Sequence, residues 1–250
     1  MSGSPPHPAI SFHDVRKSYE GRSVLDGVTF EIQRGETLVL LGSSGCGKTT
    51  ALKMVNRLVE PTSGTVRVDG RDVKDWDPIR LRRGTGYVIQ EAGLLPHLDV
   101  ERNVEMVPRL EGWDAGRRAR RVAELLELVG LDPGLYRHKQ PRQLSGGERQ
   151  RVGVARALAA DPPVLLMDEP FGALDPITRA RLQHEFMQLA RRLAKTILFV
   201  THDLLEAFRL ATRVAVMKDG RIRQIGTAEE IRSYPADDFV REFIASHVLA

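Results

Sequence analysis

The sequence predicts an α/β fold with a mostly parallel sheet and a helical insertion in its middle. Continuous apolar runs of strand length occur at residues 37–41, 164–167 and 196–200. Such runs are typical of strands buried on both faces of a parallel sheet. Between about residues 100 and 160 the apolar spacing becomes helical instead, which indicates helices inserted between the strands.

Local signals place the remaining elements. Residues 10–12, 24–32 and 65–68 cluster or alternate apolar side chains and predict strands near the N-terminus. Asp219-Gly220 predicts a hairpin turn. Thr227 followed by Glu230 is a capping box that predicts the start of a short helix.

Composition fits one large soluble domain, or one domain with a subdomain, in 250 residues. No apolar run approaches the about 20 residues that span a bilayer, and residues 1–8 read as a disordered tail without a signal-peptide core. We therefore expect a cytoplasmic protein. The single cysteine, Cys46, excludes an internal disulfide.

The net charge of +4 is compatible with nucleic acid or an anionic membrane surface as a partner. Arginines cluster at residues 80–83 and 117–121, and the second cluster reads as the solvated face of a helix. Charge alone decides nothing here.

A glycine-rich loop follows the first buried strand. It is formed by Gly42, Ser43, Ser44, Gly45, Cys46, Gly47, Lys48 and Thr49, which fits the phosphate-binding pattern G-x-x-x-x-G-K-[ST]. In this pattern backbone N–H groups bind phosphate oxygens, the lysine reaches the β- and γ-phosphates and the threonine hydroxyl can bind Mg²⁺. The alternative, a dinucleotide fingerprint at Gly84 and Gly86, fails because Ile89 takes the place of its third glycine.

Two carboxylates, Asp168 and Glu169, end the buried strand at residues 164–167. Ligands of α/β proteins bind at this carboxyl edge of the sheet. We expect Asp168 to hold Mg²⁺, directly or through water, and Glu169 to polarise the attacking water. The alternative is a pair of surface acids after a strand.

The segment Leu144-Ser145-Gly146-Gly147-Glu148-Arg149-Gln150 contains a second capping box, Ser145 with Glu148, ahead of an apolar helical pattern. A helix N-terminus with two glycines and a serine hydroxyl can bind an anion. Together with the glycine loop it suggests that a γ-phosphate is held from two sides. An ordinary capped helix is the alternative.

With these motifs the chain resembles the ATP-binding-cassette ATPases from about residue 10 to 227. The resemblance implies a phosphate-loop NTPase core with an antiparallel β-subdomain and a helical subdomain at about residues 92–160, within an ATPase domain of residues 9–235 followed by a C-terminal helix or tail at 236–250. It also implies that two copies pack head to tail, the Leu-Ser-Gly-Gly segment of one covering the ATP of the other.

Residue roles follow from the same resemblance. Glu169 would be the general base, with His202 contacting the γ-phosphate and Gln90 sensing Mg²⁺ and the attacking water. Tyr19 would stack on adenine, and Ala173-Leu174-Asp175 would link the two sites. The nucleotide would be bound by Tyr19, Gly42, Ser43, Ser44, Gly45, Cys46, Gly47, Lys48, Thr49, Thr50, Ser145, Gly146 and Gly147, and Mg²⁺ by Thr49, Gln90 and Asp168.

The segments at residues 54–64 and 86–97, the Asn56-Arg57 pair and the run at residues 77–83 are similar to the ATPases of osmoprotectant importers, which carry glycine betaine, carnitine, choline or proline. Amino-acid importers, exporters and nucleic-acid-associated ATPases of the family are the alternatives. The last are disfavoured, because no coiled-coil insertion separates the motifs.

For an importer, the resemblance implies permease subunits docked near Gln90 and residues 91–104, a solute-binding protein and a peripheral place on the cytoplasmic face of the inner membrane. Many osmoprotectant ATPases continue into a regulatory tandem domain. Because this sequence ends at Ala250, we expect regulation by that device to be absent.

Overall fold

The computed structural model describes residues 7–90, 92–172, 175–192 and 194–248. These residues divide into two compact units, the first made of the chain up to residue 82 and from residue 194 onward, the second of residues 83–192. Within the described ranges, no helix has the length and apolar character needed to cross a membrane.

The first unit contains two groups of strands and several helices. Its strands are β1 (Ile10–Tyr19), β2 (Arg22–Ile32), β3 (Thr37–Leu41), β4 (Ser63–Val68), β5 (Arg71–Asp72), and, after the second unit, β8 (Thr196–Thr201), β9 (Arg213–Lys218) and β10 (Arg221–Gly226). Its helices are α1 (Lys48–Val55), α2 (Pro78–Arg83, ending one residue into the second unit), α9 (Leu204–Leu210), α10 (Ala228–Ser233) and α11 (Asp238–Val248), with a 3₁₀ turn at Val73–Asp75.

Strand β3 is the centre of the parallel group. It pairs in parallel with β8 on one side and with β9 on the other, and β10 adds an antiparallel strand beyond β9. Every residue of β3 and β8 is buried, as expected for strands covered on both faces. The predicted parallel core is therefore present, and the carboxyl ends of β3 and β8 lie side by side.

The N-terminal strands form a separate antiparallel group in which β1 pairs with β2 and β4, and β4 pairs with β5. Phe12 and Phe30 lie opposite one another in the β1–β2 ladder and stack with ring centroids 4.4 Å apart. Such cross-strand aromatic pairs stabilise a sheet. This is the antiparallel β-subdomain that the resemblance implied.

The second unit pairs β6 (Thr85–Val88) in parallel with β7 (Val164–Asp168). Between them the chain forms α3 (Val100–Val104), α4 (Met106–Leu110), α5 (Ala115–Leu128), α6 (Pro133–Tyr136), a 3₁₀ turn at Pro141–Gln143 and α7 (Gly146–Leu158), and after β7 comes α8 (Pro176–Arg192). The helical pattern read from the sequence corresponds to α5 and α7. The domain boundaries proposed from the sequence remain a prediction.

One reading of the sequence needs correction. The arginines at residues 117–121 are not simply a solvated helix face, because Arg118 and Arg121 are half-buried. Arg118 forms an ion pair with Glu105 at 2.7 Å. Arg121 donates to the carbonyl oxygens of Leu158 at 3.0 Å and Ala159 at 3.3 Å. Part of the basic excess is thus used to join helices rather than to meet a partner.

Candidate functional site

The glycine loop connects the end of β3 to α1 and depends on two close backbone approaches. A Cβ at Gly42 would meet the carbonyl oxygen of Met217 at 2.4 Å, and one at Gly47 would meet that of Val24 at 2.7 Å. Gly47 also has a φ of 104°, which disfavours other residues. Both positions therefore require glycine, so the loop is held against β2 and β9 by backbone contact.

The loop presents cationic and N–H donors at its centre. Lys48 is 5% exposed, and its ammonium donates to the carbonyl oxygens of Gly42 at 2.6 Å and Ser43 at 2.9 Å. Helix α1 starts at Lys48, directly after the last glycine of the loop, and no side chain caps its N-terminus, so its first N–H groups face the loop without intrahelical partners. A buried cation beside free N–H groups at a helix N-terminus fits an anionic polyphosphate.

The other loop residues surround this centre. Ser43, Ser44 and Gly45 are exposed, whereas Thr49 and Thr50 are half-buried in the first turn of α1. Cys46 is buried, and burial raises the pKa of its thiol despite the Lys48 ammonium 3.9 Å away. Because a raised pKa suppresses the reactive thiolate, Cys46 is an unreactive residue of the loop.

His202 lies at the same edge of the sheet as the glycine loop. It follows β8 directly, and the last residues of β3 and β8, Leu41 and Thr201, are paired in register. His202 is exposed, and the next residue, Asp203, caps α9 through its side chain. The structure thus brings His202 to the loop's edge, as the predicted γ-phosphate contact requires.

Tyr19 ends β1 at the tip of the β1–β2 hairpin and is 47% exposed. Glu20 and Gly21 form the turn, both with positive φ, which matches a type I′ hairpin. One face of the Tyr19 ring is covered by the ammonium of Lys17, 4.7 Å from the ring centroid. The ring is therefore an exposed aromatic platform, supported from one side.

In the second unit the catalytic candidates meet at the end of the β6–β7 pair. Val88 and Met167 are in register, so Gln90 and the two carboxylates leave the sheet at the same edge. The Gln90 amide lies 3.5 Å from the Glu169 carboxylate, while Asp168 is buried, 7% exposed. Glu169 has a φ of 46°, and such left-handed non-glycine residues cost about 1–3 kcal/mol and cluster at functional sites.

Tyr87 is a neighbour of this edge that sequence reasoning missed. Its hydroxyl is buried and has no hydrogen-bond partner among the residues described. Burial, followed by the negative charge of Asp168, raises the pKa of Tyr87 well above its usual value. An aromatic residue in a strand is a normal core residue, so no sequence signal distinguished it.

Ser145, Gly146 and Gly147 form the N-terminus of α7, with Ser145 exposed. The predicted capping box is complete: the Ser145 N–H donates to Glu148 at 2.7 Å, and the Glu148 N–H donates to the Ser145 hydroxyl oxygen at 3.3 Å. The Tyr136 hydroxyl, 2.6 Å from Glu148, together with the Ser145 N–H lowers the pKa of Glu148 to about 2.

Helix α7 is also fastened to the segment that follows Gln90. Arg156 is half-buried and donates at 2.7 Å to the carbonyl oxygens of both Ala92 and Gly93. Gln150 donates to that of Ile89 at 3.4 Å. Burial lowers the pKa of the Arg156 guanidinium. The hydrogen bonds to these carbonyl oxygens offset the cost of removing the guanidinium from water.

The proposed link between sites is only partly described. Ala173 and Leu174 lie outside the described residues, as does Glu91 of the predicted docking segment. Asp175 accepts a hydrogen bond from the Thr178 N–H at 3.0 Å, a capping contact that lowers the pKa of Asp175. Asp175 therefore has a structural role at the start of α8.

The predicted Mg²⁺ ligands Thr49, Gln90 and Asp168 offer oxygen donors with a single carboxylate. Within the described chain there is no group of three or more His, Cys, Asp or Glu side chains placed to hold a metal. This chemistry fits Mg²⁺, which binds through one or two carboxylates and substrate phosphates rather than an all-protein cage.

An α/β core with a glycine loop, a lysine at its centre and a strand ending in two carboxylates defines a phosphate-loop nucleotide-binding protein. A family model described as ABC transporter matches residues 25–172. The chain belongs to this family, as its motifs predicted.

Relatives agree. The choline transport ATP-binding protein OpuBA of Bacillus subtilis (strain 168) is 50% identical over 241 residues, 96% of this chain and 63% of OpuBA. The glycine betaine uptake system ATP-binding protein YehX of Escherichia coli (strain K12) is 48% identical over 234 residues, 94% of this chain and 76% of YehX.

A solved structure confirms the predicted fold class. The dimeric post-hydrolysis state of the ATP-binding cassette MJ0796, bound to ADP and Pi, matches with a TM-score of 0.80 and 32% identity over 88% of this chain and 98% of that chain. The chain nevertheless spans just under two thirds of the length of OpuBA, 63%.

Replacing Glu148 with Gln should reveal the stabilisation that its charge gives to the α7 N-terminus. Because the pKa is lowered in the folded chain, this stabilisation is complete above the ordinary value of 4.5 and is lost as pH falls toward about 2. We expect the variant to lose about 1 kcal/mol of unfolding free energy at pH 7, allowing for solvent screening, and less at pH 4. Urea unfolding at both pH values measures this.

Glu230→Gln is the matched control. Glu230 occupies the same position in the Thr227 capping box of α10, but hydrogen bonds from Thr227, not from a tyrosine, lower its pKa. The loss of unfolding free energy at pH 7 should be smaller in Glu230→Gln than in Glu148→Gln. An equal loss for Glu148→Gln at pH 7 and pH 4 would contradict the assigned role of the charge.

Proposed function

We propose that the chain is the ATP-hydrolysing, nucleotide-binding subunit of an ABC importer that takes up quaternary amine osmoprotectants. The observation that carries this is the presence, on one chain, of a glycine loop around Lys48 and of a second helix N-terminus at the exposed Ser145. One nucleotide needs only one phosphate loop, so the second anion site serves the nucleotide of a partner copy.

The glycine loop would hold the polyphosphate. Lys48 would exchange its bonds to the Gly42 and Ser43 carbonyl oxygens for phosphate oxygens, and Tyr19 would stack on the adenine. Thr49 and Asp168 would ligate Mg²⁺, with Gln90 as a further ligand. Mg²⁺, when bound, neutralises charge that develops on the transferred phosphoryl group.

Glu169 would act as the general base. It lies at the carboxyl edge of β7, with the Gln90 amide 3.5 Å away to orient it. A base in this position accepts the proton of the water that attacks the γ-phosphate. His202, exposed beside the glycine loop, would contact the γ-phosphate itself.

Two copies of the chain would complete each site. Ser145, Gly146 and Gly147 would bind the γ-phosphate held by the loop of the partner, in a head-to-tail homodimer. The dimeric form of the related cassette MJ0796 supports this arrangement. Asp175 would lie near the contact between the two sites.

Transport would be coupled through the segment after Gln90. Permease subunits would dock on residues 91–104, and a solute-binding protein would deliver the solute, which places the chain peripherally at the cytoplasmic face of the inner membrane. Arg156 and Gln150 join this segment to α7. A movement of the permease against the segment would therefore also move Ser145 at the N-terminus of α7, which is a hinge-type coupling.

The Glu169→Gln variant should still bind ATP but should lose ATP turnover, because an amide accepts no proton from water. We expect hydrolysis to fall about a hundredfold or more, with an ATP-dependent dimer visible by size-exclusion chromatography. Glu229→Gln, an exposed first-turn glutamate of α10, is the control. Normal ATPase activity in Glu169→Gln would remove Glu169 as the base.

Ser145→Arg should abolish hydrolysis but leave nucleotide binding by the isolated subunit intact, because the arginine blocks only the partner's site. Calorimetric ADP titration and an ATPase assay measure the two effects. Thr227→Arg removes an equivalent helix cap, worth about 1 kcal/mol, and should keep its activity. Equal loss of ADP binding in Ser145→Arg would show that the site is not shared.

The solute is tested in the assembled transporter. The chain would be co-purified with its permease, reconstituted in liposomes and assayed for ATPase activity with glycine betaine, choline, carnitine, proline and other amino acids. The names of OpuBA and YehX support stimulation by choline or glycine betaine, which share a trimethylammonium group. Stimulation by other amino acids alone would overturn the assignment.

A further inference from the structure

Lys17 lies beneath the aromatic platform and has no role in the site so far. Its ammonium is 4.7 Å from the Tyr19 ring centroid, within the about 6 Å over which a cation is attracted to a ring face. The same ammonium donates to the carbonyl oxygen of Glu60 at 2.8 Å. One half-buried charge thus bridges a ring at a hairpin tip and a loop 43 residues away.

The loop that Lys17 reaches is the continuation of the phosphate-binding helix. Helix α1 starts at Lys48 and ends at Val55, and the N–H groups of Leu58 and Val59 return to the carbonyl oxygen of Lys53 at 2.9 and 3.2 Å. Glu60 follows at once. The carbonyl that accepts from Lys17 is therefore fixed relative to α1.

Two further bonds fasten β1 to this loop. The Thr62 N–H donates to the carbonyl oxygen of Arg16 at 2.9 Å, and the Ser18 N–H donates to the Thr62 hydroxyl oxygen at 3.1 Å. These hydrogen bonds fix the backbone of β1 but do not restrain the rotamer of the Tyr19 side chain. Lys17, by contrast, contacts the ring itself.

We infer that Lys17 is a positioning residue for the nucleobase: it holds the Tyr19 ring over the loop that ends α1 and leaves one ring face for the base. This rests on the proposed function, in which Tyr19 stacks on adenine and Lys48 holds the phosphates. The same cation blocks the other ring face, so the base can stack on one side only.

A purely structural Lys17 would merely pin β1 to the Glu60 loop. Its loss would then affect every ligand of the glycine loop alike, or only the stability of the chain. A positioning Lys17 affects only ligands that carry a base. Mg²⁺ complexes of ADP and of pyrophosphate separate the two roles, because both occupy a phosphate site and only ADP presents a base.

The experiment titrates the full chain with Mg·ADP and Mg·pyrophosphate by calorimetry, in wild type, Lys17→Met, Lys17→Arg and Tyr19→Ala. We expect Lys17→Met to weaken ADP binding about three- to fivefold, the fold-change of a partly exposed cation–π contact. Pyrophosphate binding should be unchanged. Lys17→Arg keeps a cation and a donor and should restore ADP affinity, whereas Tyr19→Ala should weaken ADP at least as much as Lys17→Met.

Lys139→Met is the matched control. Lys139 lies 3.8 Å from the centroid of the Tyr136 ring, so the variant removes the same kind of contact elsewhere, and ADP affinity should not change. The ratio of ADP affinity to pyrophosphate affinity in one sample does not depend on the fraction of folded protein. Partial misfolding of a variant therefore does not change this ratio.

The opposing outcomes are distinct. Equal weakening of ADP and pyrophosphate in Lys17→Met, or no weakening of either, would overturn the positioning role. Unchanged ADP affinity in Tyr19→Ala would overturn it as well, because the platform would then not bear the base. Failure of the wild type to bind either ligand would instead count against the proposed function.

Discussion

The approach of two backbone segments to the glycine loop is the constraint on which the first unit depends. The Met217 carbonyl oxygen lies 2.4 Å from the position that a Cβ of Gly42 would take, and the Val24 carbonyl oxygen lies 2.7 Å from the position that a Cβ of Gly47 would take. Strands β9 and β2 therefore shape the loop from two sides. Lys48 can be buried there because the carbonyl oxygens of Gly42 and Ser43, in the loop itself, accept hydrogen bonds from its ammonium.

The second unit uses one helix for two tasks. The N-terminus of α7 carries Ser145 in a capping box reinforced by Tyr136, while its middle holds the chain after Gln90 through Gln150 and Arg156. Displacing the half-buried Arg156 guanidinium from these carbonyl oxygens would leave polar groups without partners, which is costly. The helix and the segment should consequently move together, which joins the proposed docking surface to the proposed partner-facing site.

Short-range signals made much of this predictable from the sequence. The glycine loop, the capping boxes at Ser145 and Thr227 and the turn at Asp219 each depend on a few neighbouring residues, and each is present. The contacts of Lys17 and Arg156 were not predictable, because their acceptors lie 43 and 63–64 positions away in the sequence. For the same reason the prediction of a solvated arginine face on α5 was wrong. Its half-buried arginines bind carbonyl oxygens and a glutamate that are distant in sequence and come near only in the fold.

The buried thiol of Cys46 has a practical consequence. It is the only cysteine in the 250 residues, and burial raises its pKa, so its thiolate is scarce at neutral pH and shielded from reagents. A cysteine introduced on the surface of either unit would react first with a maleimide or a spin label. Probes could thus be attached in pairs, and distances within or between copies followed during turnover, with the native phosphate loop left unaltered.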